Sequence, residues 1–262
     1  QFTAMREVDL KHTVARHHIT LSEKSVGDSL CPDVGYAVDV VDDLERLRRF
    51  HDHTFPGVQE TFESLVKDGQ HPTILFIGCS DSRLVPYLLT GAGPGELFLV
   101  RNVGALVPPY DQSFGLHGTM AAIEFAVLGL HVERIIVCGH SHCGAIRTAY
   151  EGAPAEAVAL QAWLKLVDEA LLPVQPTPEA MRRTEQRAIV LQLERLMGYP
   201  MVRREVEAGK LTLHGWHYVI EDGEVHVFDA AQGDFVAASV ASTSGTGPYQ
   251  PYVEHDGQVI SD

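Results

Sequence analysis

Three short, continuously apolar runs in the middle of the chain constrain its fold more than any other feature. They cover residues 73–78, 97–100 and 134–138. Runs of this length without polar alternation are typical of strands that are buried on both faces, as in parallel sheets. Helical patterns over residues 84–89 and 116–130 lie between them. The order strand, helix, strand, helix, strand predicts an α/β fold with a mainly parallel sheet and right-handed crossovers.

The segments on either side of these runs are predicted to form helices, a hairpin, an N-terminal extension and a C-terminal tail. A hairpin of residues 211–220 and 224–228, turning at Asp222-Gly223, adds a C-terminal strand. Residues 1–37 show no sustained period and are predicted to be an extension of unknown role, whereas residues 236–262 are predicted to be a flexible tail. One domain is therefore expected over residues 38–235. The predicted flanking helices cover residues 42–53, 58–67, 145–151, 155–171, 178–197 and 201–208.

The composition limits which binding partners and which cellular compartment the sequence predicts. The 262 residues include 20 basic and 35 acidic side chains, and the net charge of −15 argues against a nucleic-acid partner. No apolar run approaches the 18 residues of a membrane span. Four cysteines are too few for a disulfide scaffold and fit a reducing, cytoplasmic compartment, where cysteines more often bind metal or react. The chain begins without Met, from which we expect processing or excision from a longer protein.

Residues with metal-ligand chemistry follow two of the three apolar runs. The sequence CSDSR stands at residues 79–83, after the first run, and GHSHCGA at residues 139–145, after the third. In open α/β sheets the carboxyl ends of neighbouring parallel strands meet at one edge, where ligands bind. A thiolate from one strand end and an imidazole and a thiolate from the other can supply three zinc ligands, leaving the fourth position open. The sequence therefore predicts a metal site at this edge.

These two motifs together closely resemble the paired motifs of the β-class carbonic anhydrases. Cys79 and His140 are 61 residues apart, within the range of that family. Further matches are Gln70-x-Pro72, Pro94-Gly95-Glu96, Arg101-Asn102-Val103 and Leu213-His214-Gly215-Trp216, so that the resemblance covers roughly residues 40–235. It implies a β-carbonic-anhydrase-like catalytic domain that reversibly hydrates CO2 to bicarbonate and a proton through zinc-bound hydroxide.

The resemblance also implies roles for individual residues. Cys79, His140 and Cys143 correspond to the protein ligands of one Zn2+ per subunit. Asp81 and Arg83 correspond to a catalytic carboxylate–guanidinium pair, in which Arg83 keeps the carboxylate off the metal and Asp81 orients the hydroxide. If the pair breaks, Asp81 itself becomes a zinc ligand and closes the site. The residues that correspond to substrate-binding positions are Gln70, Phe98, Val103 and Gly144, with Phe98 and Val103 equally compatible with plain core.

Departures from the family pattern bear on proton transfer and on inhibition. Phe125 and Gly129 stand where many plant-type members have Tyr and His, so the proton path stays unassigned. Phe76 stands where bicarbonate-inhibited members have Trp, which argues against their inhibitory site. Among other candidate ligands, His142 is excluded by its position beside Cys143, and Cys138 is expected in the core. Cys31 receives no role, and His117, His131, His214 and His217 are expected to be surface or hydrogen-bonded histidines.

Two other functions stay open at this point. The first is a carbon disulfide or carbonyl sulfide hydrolase, because relatives with that activity keep the same ligands and the Asp–Arg pair. The second is a non-catalytic zinc-stabilised scaffold or bicarbonate-sensing module, joined through its unmatched ends to a larger assembly, a microcompartment or a membrane protein. By resemblance we expect a homodimer or a dimer of dimers, with residues 42–67 embracing the partner subunit.

Overall fold

The computed structural model describes residues 40–110 and 117–241. They fall into two units, one ending at Pro56 and the other beginning at Gly57. The predicted extension, Cys31 and most of the predicted tail lie outside the described residues. Within the described residues, no helix is both long enough and apolar enough to cross a membrane.

The described part of the first unit is helical. Helix α1 (Val40–Arg49) continues as a π-helical turn (Phe50–Thr54), close to the helix predicted over residues 42–53. The side chains of Leu44, Leu47 and Phe50 are about half exposed or more. These three apolar side chains are therefore exposed in the described part of this unit.

The second unit is built on one six-stranded mixed sheet. The strands lie in the order β2-β1-β3-β4-β5-β6; β1 to β4 are parallel, and β5 and β6 add antiparallel pairings at one side. The predicted mainly parallel sheet is thus confirmed, whereas β6 was not predicted and extends two residues into the segment assigned to the tail. The strands are β1 (Ile74–Cys79), β2 (Leu97–Asn102), β3 (Arg134–His140), β4 (Thr212–Val219), β5 (Glu224–Asp229) and β6 (Asp234–Ala237).

Helices connect and cover these strands close to where the apolar periodicity predicts them. Two predicted helices are shorter than expected, because the patterns over residues 116–130 and 155–171 end in a π-helical turn (Phe125–Gly129) and a 3-10 turn (Lys165–Ala170). The helices of this unit are α2 (Gln59–Asp68), α3 (Pro86–Thr90), α4 (Gly118–Glu124), α5 (Gly144–Glu151), α6 (Val158–Leu164), α7 (Pro178–Met197) and α8 (Pro200–Glu207).

The core lies on both faces of the sheet, because alternate strand residues point to opposite sides. On β1, Leu75 and Ile77 belong to one buried cluster and Phe76 to the other. Helix α7 packs especially closely on β3 and β4: a Cβ added at Gly139 or Gly215 would lie 2.9 Å from side-chain atoms of Ile189. Only glycine leaves room for this approach, which brings the helix within reach of the sheet's carboxyl edge.

The strand order places a crevice between β1 and β3. From β1 the chain crosses to β2 on one side and then to β3 on the other, and such a reversal is where open α/β sheets bind ligands. β1 ends at Cys79 and β3 ends at His140. The two predicted ligand motifs therefore meet at this edge.

Candidate metal centre

Cys79, His140 and Cys143 form a buried cluster at the carboxyl edge of the sheet. One ligand atom from each residue lies within 4.8 Å of those of the other two. The three residues are 6%, 0% and 4% exposed. Two sulfurs and one imidazole nitrogen form a donor set that suits tetrahedral zinc with one position left for a non-protein ligand.

The ring of His140 is oriented as a metal ligand requires. Its Nδ1 lies 2.8 Å from the carbonyl oxygen of Ser141, and because a carbonyl only accepts, Nδ1 carries the hydrogen. The other nitrogen, Nε2, is buried and has no hydrogen-bond partner in the structure. A second hydrogen bond of this kind fixes the tautomer of metal-binding histidines. The free Nε2 lone pair within the sulfur cluster fits a metal ion.

The contact between the two thiols of the cluster moves their pKa values in opposite directions. A hydrogen bond from Cys143, with help from His140 and the Gly104 N–H, lowers the pKa of Cys79 to about 4. The pKa of Cys143 is raised well above its ordinary value, because Cys143 donates that hydrogen bond and is buried. The metal-free cluster therefore already holds one thiolate, and a metal would displace the proton of the second.

Asp81 and Arg83 form a forked ion pair beside the cluster. Arg83 donates from Nε to Oδ1 of Asp81 at 2.9 Å and from Nη2 to Oδ2 at 2.8 Å, and its backbone N–H also reaches Oδ1 at 3.0 Å. These bonds hold the pKa of the Asp81 carboxyl well below its usual range. Asp81 is thus a carboxylate whose Oδ2 lies 3.8 Å from Nε2 of His140.

The turn after β1 is held by a residue of the neighbouring strand. Arg101 on β2 donates from Nε and Nη2 to the carbonyl of Cys79 at 3.0 and 2.8 Å, and from Nη2 to the carbonyl of Asp81 at 2.6 Å. The backbone N–H of Gly104 points to Sγ of Cys79 at 3.4 Å. The Arg101-Asn102-Val103 motif therefore positions the Cys79 end of the cluster.

The predicted substrate-binding residues divide into two groups within one chain. Gly144 starts helix α5 directly after Cys143 and is exposed, and Val103 follows the strand residue that pairs with Cys79. Gln70, in contrast, precedes the N-terminal end of β1, and the length of that strand separates it from Cys79. Phe98 pairs with Leu75, four residues before Cys79.

Phe98 and Val103 were equally compatible with plain core, and neither is fully buried. Phe98 is partly buried and stacks at 5.7 Å on Phe125, whose side chain is 51% exposed. The side chain of Val103 is 41% exposed, while its carbonyl accepts a hydrogen bond from Nε1 of Trp163. Phe98 also packs against a buried core cluster and so lies between core and surface, whereas Val103 lies at the surface.

The residues that we excluded as ligands lie apart from the cluster. The backbone of His142 adopts φ +56°, a left-handed turn, and its Nε2 meets Oε1 of Glu221 at 3.1 Å on the surface. This turn lets His140 and Cys143 face the same point while His142 points away. Cys138 is completely buried, and burial raises its pKa.

Sequence reasoning missed one carboxylate next to the cluster. Glu185 of α7 is 4% exposed and accepts a hydrogen bond from the backbone N–H of Cys143 at 3.0 Å. Its other oxygen faces Nε2 of His217 at 3.1 Å. Of the two expected environments, surface or hydrogen-bonded, His217 has the second and is fully buried. Glu185 lies 42 positions after Cys143, and the one local signal for it is helical spacing, which puts this glutamate on the same buried face of α7 as Ala188, Ile189 and Gln192.

Comparison with known proteins identifies the family. A family model described as carbonic anhydrase matches residues 74–225. A carbonic anhydrase of Synechocystis sp. is 37% identical over 225 residues, covering 81% of this chain and 79% of the relative. The structure of the β-carbonic anhydrase CcaA superposes with a TM-score of 0.73 at 35% identity, covering 80% of this chain and 94% of that one. The chain belongs to the β-class carbonic anhydrases.

A second solved β-class structure is also similar to this chain. One of two tetrameric β-carbonic anhydrases from Sordaria macrospora matches with a TM-score of 0.64 at 29% identity, covering 75% of this chain and 98% of that one. Family membership confirms the resemblance drawn from the two strand-end motifs. It also makes this chain a carbonic anhydrase by family, on the α/β fold that the strand order predicted.

Proposed function

We propose that this chain reversibly hydrates CO2 to bicarbonate and a proton at one zinc ion held by Cys79, His140 and Cys143. The observation that carries the proposal is the unpartnered, buried Nε2 of His140, which lies among two cysteine sulfurs and 3.8 Å from Asp81. A zinc ion supplies a nucleophile at neutral pH by lowering the pKa of a bound water. The negative charge of two thiolates makes this acidification weaker than at a three-histidine site.

Asp81 is the residue that we assign to orientation of the nucleophile. Its carboxylate stays ionised, and its oxygens lie at the mouth of the cluster, where they can accept a hydrogen bond from the attacking oxygen. Arg83 occupies both carboxylate oxygens and so restrains Asp81 from becoming a fourth protein ligand. This arrangement supports an open site.

We assign substrate binding to Gln70, Phe98, Val103 and Gly144. Gly144 offers a backbone N–H at the start of α5 for an oxygen of bicarbonate. Because Gln70 and Phe98 lie away from the cluster of their own chain, we propose that they serve the cluster of a partner subunit in a homodimer or dimer of dimers. Support comes from apolar side chains exposed in the described part of the second unit, among them Val85, Tyr87, Leu88, Val103, Phe125 and Leu128.

We further propose a reducing compartment such as the cytoplasm. Cys79, Cys138 and Cys143 are free thiols, and the two cluster sulfurs lie close enough together that oxidation would remove two zinc ligands. The alternative attachment of the ends to a larger assembly concerns residues that lie mostly outside the described part of the chain.

The deciding experiment measures metal content, CO2 hydration and sulfide release on the same preparation. We expect about one zinc per subunit, stopped-flow CO2 hydration, and no hydrogen sulfide from carbon disulfide or carbonyl sulfide. Sulfide release without CO2 hydration would assign the rival hydrolase activity. A zinc-loaded protein with neither activity would favour the scaffold or sensing role. Sedimentation of the same sample tests the dimer.

A further inference from the structure

Glu185 and His217 form a hydrogen-bonded pair in the interior of the second unit. Glu185 is 4% exposed and His217 is fully buried, and Oε2 of the glutamate lies 3.1 Å from Nε2 of the histidine. Burying a carboxylate is costly unless its oxygens are hydrogen-bonded. Such a pair stabilises a fold poorly compared with apolar residues of the same volume. Its presence therefore calls for a role other than stability.

The second oxygen of Glu185 connects the pair to the metal cluster. Oε1 accepts the backbone N–H of Cys143 at 3.0 Å, and the Cys143 side chain belongs to the metal cluster. Cys143 is the residue that precedes helix α5, and it has extended backbone angles. Fixing its N–H restricts rotation of that peptide and with it the direction of the Cα–Cβ bond that carries Sγ.

Close packing holds Glu185 in this position. Ile189, one helical turn after Glu185 on α7, is the residue that would meet a Cβ at Gly139 or Gly215 at 2.9 Å. His217 is the register partner of Gly139, next to the ligand His140. The helix, both strands and the carboxylate are thus fixed relative to one another at the cluster.

His217 completes the arrangement by orienting the carboxylate. A carboxylate oxygen only accepts, so the hydrogen lies on Nε2 of His217, and its Nδ1 is buried without a partner in the structure. The edge of Phe235 also lies against the imidazole, with ring centroids 6.4 Å apart. His217 therefore donates its one side-chain hydrogen bond to Glu185.

We propose that Glu185 is a positioning residue for the zinc ligand Cys143, and that His217 holds Glu185 in place for this purpose. The pair sets the affinity of the site for zinc and the geometry of the Cys143 sulfur. This inference rests on the zinc assignment made under Proposed function. Groups that orient a metal ligand typically change metal affinity or activity by about 10–100-fold when they are removed.

The test compares Glu185→Ala and Glu185→Gln with the unaltered protein and with Glu194→Gln. Glu194 is an exposed glutamate on the same helix and provides the matched control. Zinc affinity is measured by competition with a chromophoric chelator. The thiolate-to-cobalt absorption band of the Co2+-substituted protein reports sulfur geometry without reference to activity. Circular dichroism and thermal unfolding of the metal-free proteins separate loss of fold from loss of metal binding.

We expect Glu185→Ala to weaken zinc binding about 10–100-fold and to displace the cobalt band. Glu185→Gln keeps an acceptor for the Cys143 N–H but loses the charge, so its zinc affinity should fall between the two, about three- to tenfold below that of the unaltered protein. Glu194→Gln should match the unaltered protein in every measurement. His217→Phe, which leaves Oε2 without a donor, should displace the cobalt band in the same direction as Glu185→Ala.

Unchanged zinc affinity and an unmoved cobalt band in folded Glu185→Ala would overturn the proposal. If Glu185→Ala fails to fold, Glu185→Gln decides: affinity and band equal to those of the unaltered protein overturn it, and a loss of at least threefold with a displaced band supports it. Failure of the proposed function is visible separately, because the unaltered protein and Glu194→Gln would then bind no stoichiometric zinc or hydrate no CO2.

Discussion

Oδ2 of Asp81 lies 3.8 Å from Nε2 of His140, so the carboxylate stands at the edge of the cluster without entering it. Arg83 holds this carboxylate with two side-chain hydrogen bonds and also donates to the carbonyl of His142. The guanidinium is thus fixed to both strand-end turns. We propose that this forked contact keeps Asp81 off the metal.

Arg83→Ala should close the site. The released carboxylate can approach the metal, and we expect CO2 hydration at pH 7 to fall by at least about tenfold while zinc stays bound. Stopped-flow assays and metal analysis measure the two quantities, and X-ray absorption should show an added oxygen ligand. Arg182→Ala, which removes an exposed arginine paired with Glu179, is the control. Full activity in Arg83→Ala would contradict this role.

Asp81→Asn should lose activity without losing metal. The amide cannot accept both Arg83 donors as the carboxylate does, and it orients the nucleophile less well, so we expect kcat to fall roughly a hundredfold or more. In the unaltered protein, activity should rise between roughly pH 7 and pH 9, since two thiolates weaken acidification of bound water. Rates measured across this range for both proteins test the assignment, and an Asn variant with normal kcat would refute it.

Zinc binding should release protons, and zinc affinity should rise with pH. The pKa of Cys143 is raised well above its ordinary value, so this thiol holds a proton that zinc must displace. Cys79, with a pKa of about 4, contributes none near neutrality. We expect an affinity gain of about tenfold per pH unit for each proton released. Calorimetry in buffers of different ionisation enthalpy counts the protons; an affinity independent of pH between 6.5 and 8.5 would be the contrary result.

Gly215→Ala should destabilise the sheet–helix packing. The added Cβ would lie 2.9 Å from Ile189, 3.2 Å from Leu193 and 3.3 Å from Phe228. Overpacking of this kind typically lowers the free energy of unfolding by about 1–3 kcal/mol. Gly118→Ala, whose Cβ would meet nothing within 4 Å, provides the control and should unfold at an unchanged or slightly higher temperature. Equal thermal midpoints for the two variants would show that helix α7 can move away.

The sequence predicts those site residues that lie in short motifs at the ends of strands. Cys79 and His140 end apolar strands and Cys143 follows three residues after His140, so strand order alone brings them to one edge. Glu185 could not be found in this way, because its contact with Cys143 depends on how closely α7 packs on Gly139 and Gly215.

Other differences between sequence and structure also have physical causes. His217 lies on the buried side of β4 with Leu213 and Gly215, but its hydrogen-bond partner Glu185 comes from a helix distant in sequence, so the local pattern does not reveal the pair. Strand β6 has only four residues and gains its hydrogen bonds from β5, so periodicity in such a short run gives little signal. Gln70 matches a substrate-binding position of the family motif. Within one chain, however, it lies before the start of β1, at the end opposite to Cys79.

The separation of the two cluster cysteines along the chain affects how slowly the folded protein unfolds. Cys79 and Cys143 are 64 residues apart; Cys79 ends strand β1, and Cys143 lies in the turn after the neighbouring strand β3. A metal joining their sulfurs would act as a removable cross-link. A covalent link of that span raises the free energy of the unfolded chain by about 4 kcal/mol, because it removes conformational entropy. Strand separation would then have to wait for metal release. Chelation should shorten the protein's lifetime against heat and proteases even where no catalysis is being measured.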